Sequence, residues 1–196
     1  MKEDAMAVLY SSMSGIGSDM PDFKLGSFDG TEVLRDNLLG APAILVIFMG
    51  SENPYIHHVR EVLVKLVWQF QQKGVVAVAI NSDDLESTPE ECLGNMKLDA
   101  QKYGYSFPYV CDHAQEVARK FGVLCTPDFY LFDKRGKLAY HGQMDDSRPG
   151  NGIPVTGRDL RGAINAVLAG LPVTWVQKPS GGSIIRWNDT AALKDM

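Results

Sequence analysis

The stretch Ile44-Leu45-Val46-Ile47-Phe48-Met49-Gly50-Ser51-Glu52-Asn53-Pro54-Tyr55 decides the fold. The unbroken apolar run from Ala43 to Met49 predicts a strand buried on both faces. A polar turn follows, then Asn53-Pro54, then apolar residues at helical spacing. Asn is a good N-cap because its side-chain oxygen takes an orphan amide of the first turn. Pro suits the first helical position, where its missing N–H costs nothing. A buried strand running into a helix N-terminus is where α/β proteins place chemistry, because the open amides and helix dipole there favour an anion.

A dithiol redox site would put Cys-x-x-Cys at such a junction, where the helix terminus lowers the thiol pKa. Here that spacing holds Gly50 and Asn53, and the chain has no cysteine before Cys92. The junction therefore has the layout of a redox centre without its sulfur.

Outward from the junction, Ile56, Val59, Leu63, Leu66, Val67 and Phe70 give an amphipathic helix over residues 54–73, ended by Gly74. Residues 75–80 are again wholly apolar, so they predict a second strand parallel to the first, in a right-handed β-α-β unit. Asn81-Ser82-Asp83-Asp84 lies at that strand's carboxyl end, the edge where α/β sheets keep their sites. Thr88, Pro89 and Glu91 give a capping signature for a helix through Tyr103. Residues 107–110 read as a short extended piece and 113–121 as a short helix closed by Gly122. Residues 128–132 and 137–141 read as an antiparallel hairpin, and 157–169 as the last helix. Before the junction, Pro21-Asp22-Phe23-Lys24-Leu25 alternates as a strand, an Asp29-Gly30 turn follows, and 31–34 returns. Residues 36–40 read as a turn or one helical turn. Residues 1–17 read as a flexible arm or a loosely packed helix.

These signals set out an N-terminal arm (1–20), an α/β domain (21–170) and a tail (171–196). Trp175, Ile184, Ile185 and Trp187 argue that the tail packs on the body. A hydrophobic fraction of 45% suffices for a core, and a net charge of −5 points away from nucleic acid and anionic membranes as partners. No apolar run approaches the roughly 20 residues of a membrane span. The first residues lack a signal peptide's basic start and apolar centre, so a soluble cytoplasmic protein is expected. Three widely spaced cysteines do not make a disulfide framework.

Strand-helix-strand-helix, then Thr126-Pro127 before a hairpin and a terminal helix, resembles a thioredoxin fold. In that fold the proline after Thr is cis and sits beside the active-site turn. More closely, the chain resembles the peroxiredoxin-like redoxins of the alkyl hydroperoxide reductase/thiol-specific antioxidant family. The similar blocks are Pro21-Asp22-Phe23, Asn53-Pro54-Tyr55-Ile56, Gly74 through Asp83, and Cys125-Thr126-Pro127-Asp128-Phe129. Three more are Asp145-Asp146-Ser147-Arg148-Pro149-Gly150, Pro154 through Leu160, and Gln177-Lys178-Pro179-Ser180. The resemblance implies a three-layer α/β/α domain with a mixed central sheet, an N-terminal hairpin extension and oxidoreductase or antioxidant thiol chemistry. It also implies Cys-x-x-Cys-Pro-Tyr over residues 50–55 and a further cysteine near Ser183. All three thiols are absent here, which suggests natural loss.

Among the remaining candidates, Cys125 could be a relocated nucleophile beside the helix N-terminus, or a small buried residue at a strand start. Cys111 and Cys92 read as inert unless close enough to pair with Cys125. Glu52 could act as an acid/base if desolvated, but equally favours the helix terminus as a surface charge. Ser51 has no identifiable base. His57 and His58, adjacent on a helix, point about 100° apart and cannot chelate one ion together. A metal would need Asp83, Asp84 or His113 as well, and none is expected; no cofactor is expected either. Arg148 could hold an oxyanion or carboxylate near the turn, or pair with Asp145 or Asp146. Two functions follow. One is a pseudo-redoxin that binds a peptide, protein or small anion in a groove between Asn53, Thr126-Pro127 and Arg148, with homodimerisation open. The other is a thiol oxidoreductase or peroxidase acting through Cys125.

Overall fold

The computed structural model describes residues 8–83 and 89–188, with the backbone alone over 89–92. In chain order the elements are β1 (Leu9–Tyr10), β2 (Lys24–Ser27), β3 (Glu32–Leu34), α1 (Arg35–Leu38), β4 (Ala43–Phe48) and α2 (Pro54–Gln71). Next come β5 (Val75–Asn81), α3 (Pro89–Tyr103), β6 (Tyr109–Cys111), α4 (Glu116–Phe121) and β7 (Cys125–Thr126). The chain then forms β8 (Asp128–Asp133), β9 (Leu138–Gly142), α5 (Arg158–Leu168) and β10 (Gly181–Ile184).

The central sheet runs β3-β2-β6-β5-β4-β8-β9. β4 pairs parallel with β5 and antiparallel with β8, so Phe48 lies opposite Ile80 on one side and Asp128 on the other. Every β4 residue is buried, because helices cover both faces. Leu45, Ile47 and Met49 pack with Ile56, Leu63, Leu66, Leu160 and Ile164 on one face. Ile44, Val46 and Phe48 pack with Val117, Phe121 and Val123 on the other. The two-residue alternation hidden in the apolar run thus feeds two separate cores. This is the thioredoxin-like α/β/α arrangement, and the Thr126-Pro127 bond is cis.

Three expectations shift. The strand expected at 21–25 begins at Lys24 and ends at Ser27, because only there do Gly26 and Ser27 reach Cys111 and Val110 of β6. The helix expected from His113 begins at Glu116. There the Asp112 carboxylate accepts the Val117 and Ala118 amides, while Gln115, with φ 57°, donates to the Ser82 and Arg186 carbonyls. The described part of the arm is extended rather than loose or helical. β1 pairs with β10, and the Ser14 amide donates to Nδ1 of the buried His141 at 2.9 Å. His141 Nε2 in turn donates to the buried Asp128 carboxylate at 3.0 Å, under the stacked Tyr130 ring. The Thr88 cap, Asp84, the Cys92 side chain and the arm before Val8 lie outside the described residues.

β1, β10 and β7 make a second, small sheet. Ser183 lies opposite Thr126 and Ile184 opposite Cys125, so the tail strand runs along the edge beside the cis proline. Two glycines permit this. A Cβ on Gly182 would fall inside van der Waals contact of the Thr126 carbonyl, and one on Gly181 would meet Arg148 and Val8 at 3.0 Å.

Candidate functional site

The turn at the end of β4 is pinned from three sides. Asn53 Oδ1 accepts the Tyr55 amide at 2.8 Å, the capping bond expected of it. Its Nδ2 donates to Thr126, to the carbonyl at 2.9 Å and to Oγ1 at 2.7 Å. Asn53 therefore ties the α2 N-terminus to the cis-proline corner. The Ser51 carbonyl accepts from His57 Nε2 at 2.7 Å and from Arg60 Nη2 at 2.8 Å. Arg60, a buried cation, pairs with Asp99 at 2.9 Å, and Tyr105 donates its hydroxyl to the same carboxylate. Burial pushes the Asp99 carboxyl above its usual range, against the opposing pull of Tyr105 and Arg60. Burial and Asp99 together push the Tyr105 phenol up.

Gly50 has no room for a side chain. A Cβ there would collide with Oδ2 of Asp83, which follows the end of β5. Asp83 accepts the Arg186 amide at 3.3 Å, and the Arg186 guanidinium lies 3.8 Å from Oδ2. A carboxylate thus fills the volume that a residue-50 side chain would take, beside the start of an 18-residue helix. That is the place for an anion, and the chain supplies its own.

Over this turn lies an open pocket of about 530 Å³, lined by Val8, Leu9, Glu52, Asn53, Pro54, Asp83, Ser183, Ile184 and Arg186. Of the three positions where the resemblance puts thiols, 53 and 183 therefore line one pocket, and Gly50 lies behind it against Asp83 and Asn53. Glu52 is exposed, so it lacks the desolvation an acid/base role needs. Ser51 is buried, with His57 and Arg60 engaged on its carbonyl.

The groove expected between Asn53, Thr126-Pro127 and Arg148 is not continuous. β10 divides it: Ser183 faces the pocket over Asn53, while Gly181 lines a cleft with Pro127, Arg148 and His58. Arg148 is not set to hold an anion, nor does it form the expected ion pair. Its guanidinium donates to the Asp145 and Ser147 carbonyls and to Gln143 Oε1, each at 2.7 Å. Asp145 instead accepts the Thr156 and Gly157 amides at the start of α5. Asp146 accepts from Lys178, Arg158 and Gln143. Ser147 accepts from His58. The Asp-Asp-Ser-Arg block is a structural knot joining α2, α5 and the tail.

Those donors, Lys178 first, hold the Asp146 carboxyl well below the usual range. Its contribution is therefore present above the unfolded value of about 3.9 and is lost as pH falls below that. The Gln143 amide donates to the Lys178 carbonyl beside this clamp. Its exchange protection is expected to hold from pH 7 to 4.5 and to fall below about pH 3.9. In Lys178→Met the protection is expected to be lower already at neutral pH.

Cys125 is fully buried, and burial first, then the nearby Asp128 charge, push its thiol up to about 12. Its Sγ lies 3.7 Å from the Ser180 carbonyl. The expectation of a dipole-activated nucleophile meets a desolvated thiol roofed by β10, the opposite of an activating environment. Cys111 is half-buried on β6, in the other sheet. Among the described residues, no three His, Cys, Asp or Glu side chains group to hold a metal ion, and no helix is long and apolar enough to cross a membrane.

The sequence model of the AhpC/TSA family matches residues 16–141, from the arm through β9. The chain belongs to the AhpC/TSA family. Among curated relatives, the thiol-disulfide oxidoreductase ResA of Geobacillus thermodenitrificans is 27% identical over 130 residues, covering 63% of this chain and 66% of that protein. The chain thus spans just under two thirds of the length of that relative. Two solved structures are nearer. An uncharacterized conserved protein from Geobacillus kaustophilus is 44% identical, with a TM-score of 0.90, over 94% of this chain and 98% of that one. A hypothetical protein from Sinorhizobium meliloti 1021 is 42% identical, with a TM-score of 0.88, over 92% and 98%. This AhpC/TSA member thus shares more than nine tenths of its length with each of these two structures.

Several parts of the site lie outside what sequence reasoning singled out: the fit of Asp83 against Gly50, the Arg60–Asp99 pair and the close approach of Gly182. The adjacent glycines 181 and 182, in a tail otherwise carrying Ile and Trp, are a signal of backbone contact that could have been read.

Proposed function

We propose that this AhpC/TSA member is a pseudo-redoxin: it keeps the redoxin scaffold and binds a small ligand over the former active-site turn without cycling electrons. The observation that carries this reading is the Asp83 carboxylate in the side-chain volume at Gly50. A thiol at 50 would need Asp83 displaced and its contact with Arg186 broken. Two features support the reading. Asn53 commits its side chain to the Tyr55 amide and Thr126, and Cys125 is sealed with its thiol pushed up to about 12. The activity in the name of the ResA relatives, thiol-disulfide oxidation and reduction, needs thiolates that this turn does not carry.

The test is turnover, with reinstatement as the positive arm. The wild type is expected to show neither disulfide reduction nor peroxide consumption above background, and Cys125→Ser is expected to change nothing. Gly50→Cys/Asn53→Cys with Asp83 retained is expected to stay poor, since a carboxylate against the first thiol disfavours its thiolate. Adding Asp83→Ser is expected to raise disulfide reductase activity at least about tenfold, the effect of one unit of thiol pKa. Wild-type turnover that disappears in Cys125→Ser would sink the proposal.

A further inference from the structure

The lining of the pocket over the turn narrows its occupant. About 530 Å³ lies within the usual range for small-molecule sites, about 300–1,000 Å³. Val8, Leu9, Pro54 and Ile184 give it apolar walls. Of its charged groups, Asp83 and Arg186 face each other at 3.8 Å. Glu52, exposed at the rim, makes no ion pair with any described residue.

An anionic ligand would meet two carboxylates, and Arg186, the only cation among the described lining residues, already lies beside one of them. The anion position at the helix start is moreover filled by Asp83. An extended peptide pairing with Thr126 would have to displace β10, which holds that edge. A compact ligand with an apolar body fits the walls, and Glu52 at the rim favours one with a positive end.

We propose that the pocket binds a small amphiphilic amine or ammonium, with its apolar body between Val8, Leu9, Pro54 and Ile184 and its cation toward Glu52. This rests on the pseudo-redoxin reading and names the ligand class of the same site. Affinity comes chiefly from burying the apolar body, and the charge sets preference, because an exposed pair adds little.

Three probes of one shape separate these terms: phenethylamine, phenethyl alcohol and phenylacetate, titrated into the full chain and followed by amide NMR. The amine is expected to shift the Leu9, Glu52 and Ile184 amides. It is expected to bind about fivefold tighter than the alcohol, with the carboxylate weakest. Glu52→Gln is expected to level amine with alcohol and leave the alcohol unchanged. Ile184→Ser is expected to weaken amine and alcohol alike. Phenylacetate binding tightest, an amine preference that survives Glu52→Gln, or shifts confined to other surfaces would overturn the ligand class. Thiol turnover, measured on the same samples, stays separate: absent turnover with no amine binding rejects the ligand class alone, while Cys125-dependent turnover rejects the pseudo-redoxin reading itself.

Discussion

Gly182→Val is expected to unseat the tail strand and turn Cys125 from an inert thiol into a reactive one. The Gly182 position faces the Thr126 carbonyl with no space for a Cβ, and backbone on both sides cannot give way. The variant must lift β10 from β7, and with it the Ser183–Thr126 and Ile184–Cys125 pairs. The cost is expected to exceed about 2 kcal/mol, as for other substitutions that overfill a closed site. Once the roof is gone, the Cys125 thiol falls from about 12 toward the ordinary cysteine value of about 8.5, raising its thiolate at neutral pH by about three orders of magnitude. Maleimide labelling of Cys125 followed by mass spectrometry reads this directly. Gly94→Ala, at a glycine with open space around it, is the control and is expected to leave labelling unchanged. Equal labelling rates in Gly182→Val and wild type would mean that β10 is not what seals the thiol.

Asp99→Ala is expected to be the most destabilising change behind the turn. Arg60 and Asp99 have side-chain exposures of 5% and 9%, so removing the carboxylate strands a buried guanidinium. Such losses run to about 3–5 kcal/mol. The same change frees Tyr105 of its acceptor and loosens the grip of Arg60 on the Ser51 carbonyl. The double variant Arg60→Met/Asp99→Leu is expected to recover most of the loss, because a buried pair replaced by apolar groups of similar volume is often neutral. Urea unfolding of both variants checks this. A double variant as unstable as Asp99→Ala would show that the cost lies in packing rather than in the uncompensated charge.

Much of the fold was legible because local signals and burial agree. The run from Ala43 to Met49 could only be a strand covered on both faces, and Asn53-Pro54 could only open a helix. The parallel β4–β5 pair and the β8–β9 hairpin followed from the same reasoning. The arm was not legible, because two strand residues have no periodicity to read and are held by distant partners, β10 and His141. The start of α4 was missed for a similar reason: its capping carboxylate, Asp112, lies before Gln115 rather than at the cap position. At the site, sequence located the turn at residues 50–54 and the Thr126-Pro127 corner, and the structure brings them together through Asn53. The acceptors of Arg148 are not legible in the sequence, since backbone carbonyls leave no mark there. Asp83 is legible as a residue at the carboxyl end of β5, where sites are kept, but not as the filler of the Gly50 volume, because that fit depends on how the ends of β4 and β5 lie side by side.

The most direct test of the central claim, that the scaffold persists without thiol chemistry, is the reactivity of the three cysteines in the native protein. Maleimide and hydrogen peroxide are titrated across pH and read by mass spectrometry, with Cys125→Ser as the control. Cys125 is expected to stay unmodified from pH 6 to 9 until the protein is unfolded, and no cysteine is expected to react faster than an ordinary thiol of about pKa 8.5. Fast modification of Cys125 well below that pH, lost in Cys125→Ser, would contradict it and make this chain a working redoxin with relocated chemistry.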